Sequence, residues 1–186
     1  MTKMLIGLFL ICLEITFTIE SEIFGVMIIG LLPDFVGFGL LLWGLRELSQ
    51  ENDYFYKNMR FCLWCATVAL MIYIMDVIGV TASGDFQPLL LQLLLMVLEP
   101  ICLFRLVRGI RTVGKDYDID VKGKLMLIVC IAMTVLSVPS FLFGGTELGA
   151  AFGLVYSVLA FAYIALFYNF KCIYEEIRPV EEESEE

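Results

Sequence analysis

The sequence predicts an all-α polytopic membrane protein, a bundle of six transmembrane helices in three outward-opening hairpins with both termini cytoplasmic. Apolar residues fill 60% of the 186 positions and charged residues only 18%, whereas soluble domains are about half apolar and a quarter charged. All twelve Lys and Arg residues lie in alternate gaps between the apolar stretches. Because short basic loops stay on the cytoplasmic side, this pattern predicts the orientation as well as the class.

Six apolar stretches justify the six helices in order. Stretches of about 20 apolar residues are long enough to cross a hydrocarbon layer of about 30 Å as helices. Glu14 interrupts the first stretch and no cleavage site follows it, so we interpret it as a retained helix and not a signal peptide. The predicted spans form one domain over residues 1–174, followed by an acidic cytoplasmic tail over 175–186 that we expect to be disordered. They cover residues 4–19, 23–45, 59–80, 86–107, 125–143 and 148–170.

Composition excludes several classes of function. The chain has no histidine, which removes the commonest general base and the commonest transition-metal ligand. It carries no nucleophile elbow, phosphate-binding glycine loop or zinc spacing, so we expect no enzyme, cofactor or metal. No basic stripe alternates with exposed aromatic residues, which argues against nucleic acid. Cys62 and Cys65 form a CxxC that we interpret as two buried apolar residues.

Acidic residues inside the predicted spans are the sharpest functional signal, because ionisable groups at this depth usually serve a function. Asp34 and Glu99 fall near the middle of their spans, Glu14 and Asp76 in the outer third, and Gln92 shares a helix face with Glu99. The spans hold no buried basic partner for these acids, so each carboxyl group carries a proton or meets a cation or water. We interpret the five as a ligand or ion pathway; the alternatives are hydration near an interface and structural hydrogen bonds.

Small residues recur at helical spacing in spans two and six, where they permit close approach of a neighbouring helix. In span two they share a stripe with Asp34, and Pro33 suggests a broken or kinked helix there. In span six the packing is either inside the bundle or in a dimer. The packing residues are Gly30, Gly37, Gly44, Gly145, Gly149 and Gly153.

A ridge of basic residues follows span four at the predicted inner surface. The steps of three and four residues place them together on one side of a helix. Such a ridge anchors the helix or binds lipid phosphates. Membrane lipid is therefore the expected partner, with another membrane protein or a second copy of the chain left open. The ridge comprises Arg105, Arg108, Arg111 and Lys115.

One segment resembles a known group of proteins. The run Leu32-Pro33-Asp34-Phe35-Val36-Gly37, continuing to Trp43-Gly44-Leu45, is similar to a stretch in small bacterial polytopic membrane proteins with a Leu-Pro-Asp-Phe-Ile/Val-Gly motif. No activity is assigned to that group. The resemblance implies a multi-pass protein of the bacterial cytoplasmic membrane and adds no chemistry.

Two functions fit these observations. The first is a small transporter or membrane ligand-binding subunit, whose acid-only lining favours protons or cationic solutes. The second is an accessory or scaffolding protein that binds other membrane proteins or anionic lipid without transport.

Overall fold

Six helices and one β-hairpin make up the part of the chain that the structure describes. The computed structural model describes residues 1–12, 16–21, 25–30, 33–49, 53–78, 86–143 and 146–184, with the backbone alone for 16–21, 25–30, 86–88 and 178–184. In chain order the elements are α1 (Thr2–Cys12), β1 (Thr16–Ser21), β2 (Gly25–Gly30), α2 (Asp34–Leu48), α3 (Asp53–Ile78), α4 (Phe86–Asp116), α5 (Gly123–Leu142) and α6 (Glu147–Ser184).

Four helices, α3 to α6, are long and apolar enough to cross a membrane. They correspond to the spans predicted at residues 59–80, 86–107, 125–143 and 148–170, so the membrane class is confirmed for this part of the chain. The helix α6 continues to Ser184, through residues that the sequence analysis assigns to a disordered tail.

The first two predicted spans are not uninterrupted helices. The helix α1 has 11 residues and α2 has 15, which gives lengths of about 16 and 22 Å, short of the ~30 Å needed to cross. Between them β1 and β2 pair in antiparallel register, from Thr16 opposite Gly30 to Ser21 opposite Gly25. The prediction of continuous helices over 4–19 and 23–45 is therefore wrong, and Gly30 lies on a strand, not on a helical stripe.

Local chemistry explains this difference. The segment Thr16-Phe17-Thr18-Ile19 is β-branched and aromatic, and such side chains fit a strand better than a helix. Pro33 precedes α2 with an extended backbone, at ψ 124°. Because proline disfavours helical conformation in the residue before it, a helix that contains Asp34 starts after Pro33 and does not pass through it.

The six helices form a ring in which each packs on the next, and α6 closes it against α1. Short connections make consecutive helices antiparallel, so α1, α3 and α5 begin at one end. We call this end the basic end, because every Lys and Arg of the chain lies in the half next to it. The opposite end carries β1 and β2, with β2 against α3, and we call it the hairpin end.

The helices α1 and α2 approach closely through glycine. A Cβ atom on Gly7 would lie 2.6 Å from the Gly37 carbonyl oxygen, and one on Gly44 would overlap the Met4 side chain. At the basic end the Glu47 carboxylate accepts hydrogen bonds from the Met1 ammonium at 3.0 Å and the Lys3 ammonium at 3.3 Å. These bonds, the Met1 bond above all, lower the pKa of Glu47 although partial burial opposes them.

The long helices are packed tightly in one half only. Among their described residues, nothing is buried after Ala69 in α3, before Cys102 in α4 or after Met133 in α5. In α6, residues 150–159 are likewise half-buried or exposed. The core of α3 to α6 therefore lies toward the basic end, and the helices are looser toward the hairpin end.

Candidate functional site

The loosely packed half has a polar inner side and an apolar outer side. On α4 the exposed residues are apolar, for example Leu94 and Val97, whereas Gln92 and Glu99 lie on the half-buried side. In this half of α5 and α6 the exposed residues are likewise mostly apolar, and the half-buried sides present hydroxyl groups. We call this inner side the polar zone, defined by Gln92, Glu99, Ser137, Ser140, Tyr156 and Ser157.

Glu99 lies at the deepest level of the polar zone, one turn before the first buried residue of α4, Cys102. Its Oε1 atom accepts a long hydrogen bond of 3.5 Å from the Tyr156 hydroxyl of α6. The carboxyl is the only charged group between residues 89 and 104 of α4. A carboxyl group held in this way, with a phenol as neighbour, is a candidate site for a proton or a cation.

The hydroxyl groups of the polar zone are held in place by their own helices. The Ser137 hydroxyl donates to the Thr134 carbonyl at 2.9 Å, and the Ser157 hydroxyl donates to the Gly153 carbonyl at 3.0 Å. Such local bonds satisfy a hydroxyl proton within the membrane and leave its oxygen lone pairs as acceptors. The inner side therefore presents acceptor oxygens, which suit a cationic ligand.

Asp34 and Asp76 lie near the hairpin end of the adjacent helices α2 and α3. The rings of Phe35 and Tyr73 meet there with centroids 5.4 Å apart, and Asp76 shares the half-buried side of α3 with Tyr73. In the ring of helices α3 lies between α2 and α4. The described pathway residues therefore lie on three successive helices, Asp34 on α2, Asp76 on α3, and Gln92 with Glu99 on α4.

Other predicted residues have simpler surroundings. Gly153 faces α5, where its Cβ would lie 3.5 Å from the Ser140 oxygen, and Gly149 is buried, as expected for packing within the bundle. Glu14 and Gly145 lie outside the described residues.

A thiol and phenol core lies directly below the polar zone, toward the basic end. The prediction that Cys62 and Cys65 are buried is confirmed, whereas the sequence did not identify Cys102 and Tyr163 as part of the same core. Cys62 and Cys65 of α3 both have side-chain contacts with Cys102 of α4, and the Cys62 thiol also donates to the Phe38 carbonyl at 3.2 Å. Tyr163 of α6 reaches across the ring, where its hydroxyl donates to the Leu103 carbonyl at 3.4 Å.

All four side chains of this core, Cys62, Cys65, Cys102 and Tyr163, are fully buried. A common helix face could have indicated part of it from the sequence, since Cys102 follows Glu99 by three residues and Tyr163 follows Tyr156 by seven. Within the described ranges, no group of three Cys, Asp or Glu side chains is placed to hold a metal ion.

The basic ridge divides into two environments. Arg108, Arg111 and Lys115 line a cavity of about 210 Å³ together with Tyr54 of α3 and Thr112. Arg105 does not line it; its guanidinium group stacks 3.7 Å from the centre of the Phe61 ring.

No protein family, curated protein or solved structure matches the chain. Function is therefore inferred from the sites themselves and not from the fold, since one fold serves many functions.

Proposed function

We propose that the chain is a six-pass protein of the bacterial cytoplasmic membrane, with both termini inside, that binds and transports protons or cationic solutes. In this proposal α1 with β1 makes the first pass and β2 with α2 the second. Eleven helical and six extended residues reach about 36 Å, enough for one crossing. The contact between β2 and α3 covers one side of the hairpin with protein, as backbone near the hydrocarbon requires.

The single observation that carries the transport proposal is the position of Glu99. It lies on the half-buried side of α4, within 3.5 Å of the Tyr156 hydroxyl, at the boundary between the loose half and the packed half. The loose half contains no Lys or Arg. In this proposal a mobile cation or a proton reaches the carboxyl group between the loosely packed helices around Gln92 and Ser157.

The role of Glu99 follows from this geometry. Its carboxylate attracts the cation, and the Tyr156 hydroxyl donates a long hydrogen bond of 3.5 Å to the Oε1 atom. The fully buried core around Tyr163 lies below Glu99, where we propose that it blocks the route. Transport then requires the packed half to open, so we propose binding from the hairpin end followed by a conformational step.

Purified protein in liposomes tests this proposal directly. Proton flux is followed with an internal pH-sensitive dye, and ethidium serves as the organic cation. Glu99→Gln should abolish movement of whichever probe the unaltered protein carries, because it removes the negative charge and keeps the size. Glu147→Gln is the matched control, since Glu147 is exposed at the start of α6. Equal activity in Glu99→Gln and Glu147→Gln contradicts the assigned role.

Access of water to the polar zone is a second test. Cys172 is the one cysteine that is not buried, so Ser157→Cys combined with Cys172→Ser gives one candidate thiol in the polar zone. A small, water-soluble thiol reagent should modify it, and added substrate should slow the reaction. No modification would mean that the polar zone is dry.

Orientation is tested with Cys172 itself. A membrane-impermeant maleimide should label it in inverted vesicles and not in intact cells. A cysteine at Ser83, in the segment between α3 and α4, should show the opposite behaviour when Cys172 is replaced by serine.

The second candidate function is an accessory protein that holds other membrane proteins. The tight packing of the basic half supports it, because Tyr163 and the cysteine side chains there are fully buried. This function predicts that Glu99→Gln leaves assembly with a partner intact, and that neither probe crosses the membrane.

A further inference from the structure

The cavity at the basic end combines a small volume with a concentration of positive charge. Its volume is about 210 Å³, and its lining consists of Tyr54, Arg108, Arg111, Thr112 and Lys115. Cavities for drug-sized ligands usually exceed about 300 Å³. The space is largely open to solvent and suits a small group or the head of a larger molecule.

The three cations of this cavity lie on one side of α4. Arg108, Arg111 and Lys115 are spaced three and four residues apart, which makes them neighbours on the helix surface, and like charges at that spacing repel each other. In the ranges that the structure describes, ion pairs join acidic groups to Met1, Lys3, Lys57 and Lys171, and none involves these three. Within those ranges no carboxylate pairs with them, so a bound anion would offset their repulsion.

Stabilisation of the C-terminal end of α4 explains only one of the three cations. Cations favour the last turn of a helix, and Lys115 is in the last turn of α4. The effect decays within that turn, whereas Arg108 lies two turns before Asp116. The helix dipole therefore does not account for the two arginines.

The chemistry of the lining selects a phosphate group. Guanidinium groups present paired N–H donors that match phosphate oxygens, and an ammonium group adds a third cation. Thr112 donates its hydroxyl proton to the Arg108 carbonyl at 3.0 Å, so it forms part of the wall and does not act as a donor to the ligand. We infer that this cavity is a phosphate-binding site in which Arg108, Arg111 and Lys115 bind the phosphate of an anionic lipid headgroup or of a soluble phosphate compound.

This site is independent of the transport proposal, because it lies at the basic end whereas Glu99 and the polar zone lie toward the hairpin end. Binding is measured on the purified full chain in nanodiscs of phosphatidylcholine. The probes are inorganic phosphate and phosphatidic acid, and the readouts are the shift in thermal unfolding midpoint and the bound lipid in native mass spectrometry.

Matched variants distinguish binding in the cavity from attraction to positive charge elsewhere on the surface. Arg108→Gln and Arg111→Gln should each weaken binding about tenfold or more, the scale expected for losing a charge-assisted contact. Arg105→Gln and Lys124→Gln remove the same charge outside the cavity and should leave binding within about twofold, the effect of weak, screened attraction. Lys115 is exposed, so Lys115→Gln carries the test if an arginine variant fails to fold.

The two sources of phosphate give different results. Binding of inorganic phosphate that depends on Arg108 and Arg111 supports the site and identifies a soluble compound. Binding of phosphatidic acid alone, with the same dependence, supports the site and identifies a lipid. Equal weakening in the cavity variants and the two control variants, or binding of neither probe, overturns the inference.

Discussion

The two halves of the long helices differ in how completely they bury their side chains. Toward the basic end α3 to α6 bury large side chains completely, as Tyr163, Phe167 and Leu106 show. Toward the hairpin end the same helices bury almost nothing, and their inner sides carry Glu99 and several hydroxyl groups. The comparison indicates that stability is concentrated in one half, which frees the other half to hold polar groups and to move.

The largest expected difference between the halves comes from two tyrosines on one face of α6. Tyr163→Ala should lower the free energy of unfolding by about 3–5 kcal/mol, because it empties a buried aromatic site. Tyr156→Ala should cost less than half of that, since Tyr156 is only half-buried. Tryptophan fluorescence during thermal unfolding in detergent measures both. Equal losses would mean that the halves are packed alike.

Two glycines sharpen the same comparison. On Gly109, in the packed half, a Cβ would lie 2.5 Å from the Phe55 ring, so Gly109→Ala should destabilise by about 1–3 kcal/mol through overpacking. On Gly153, in the loose half, the nearest atom would be 3.5 Å away. Gly153→Ala should therefore stabilise the helix by about 0.5–1 kcal/mol through helix propensity. Unfolding midpoints of the two variants give the result, and the same sign in both would break the comparison.

Asn58 is a polar residue inside the packed half. Its amide donates to the Cys102 carbonyl at 3.1 Å, but its Oδ1 atom is buried and has no hydrogen-bond partner in the structure. Asn58→Leu keeps the shape of the side chain and removes the buried oxygen, so we expect a gain of about 1 kcal/mol in stability. The Cys102 carbonyl keeps its bond within α4. A clear loss of stability in the same unfolding assay would indicate that Asn58 has a partner in the membrane.

The smallest effect is expected at the exposed surface of the packed half. Glu47→Gln removes the contacts with Met1 and Lys3 and should cost less than about 1 kcal/mol, as exposed ion pairs do. Because folding lowers the pKa of Glu47, its contribution is complete above the unfolded value near 4.5 and disappears as pH falls through the lower folded value. The unfolding midpoints of the unaltered protein and of Glu47→Gln should therefore converge as the pH is lowered through this range. A difference that grows toward low pH would contradict this sign.

The long helices could be predicted from sequence because hydropathy over about 20 residues is a local property. The structure of the first 48 residues could not be predicted in this way. The segment Thr16-Phe17-Thr18-Ile19 is apolar enough for a membrane span and also β-branched enough for a strand. Its strand conformation depends on pairing with β2, which no local pattern reveals. Pro33 was the one local signal, since it marks where α2 begins.

The candidate site was predictable in part for a similar reason. Glu99 and Gln92 were found because charge and helical spacing are visible in the sequence. The partner of Glu99, Tyr156, is 57 residues away and looks like an ordinary aromatic residue of a span. Cys102 is likewise distant from Cys62 and Cys65, so only the packing of α3 on α4 identifies it as their neighbour.

The distribution of cysteines has a practical consequence. Five of the six thiols are buried, and Cys172 near the basic end is half-exposed. A bulky alkylating dye added to the folded, unmodified protein should therefore attach at a single position. Fluorescence or spin labels could then report on motions of α6 without any prior engineering of the chain.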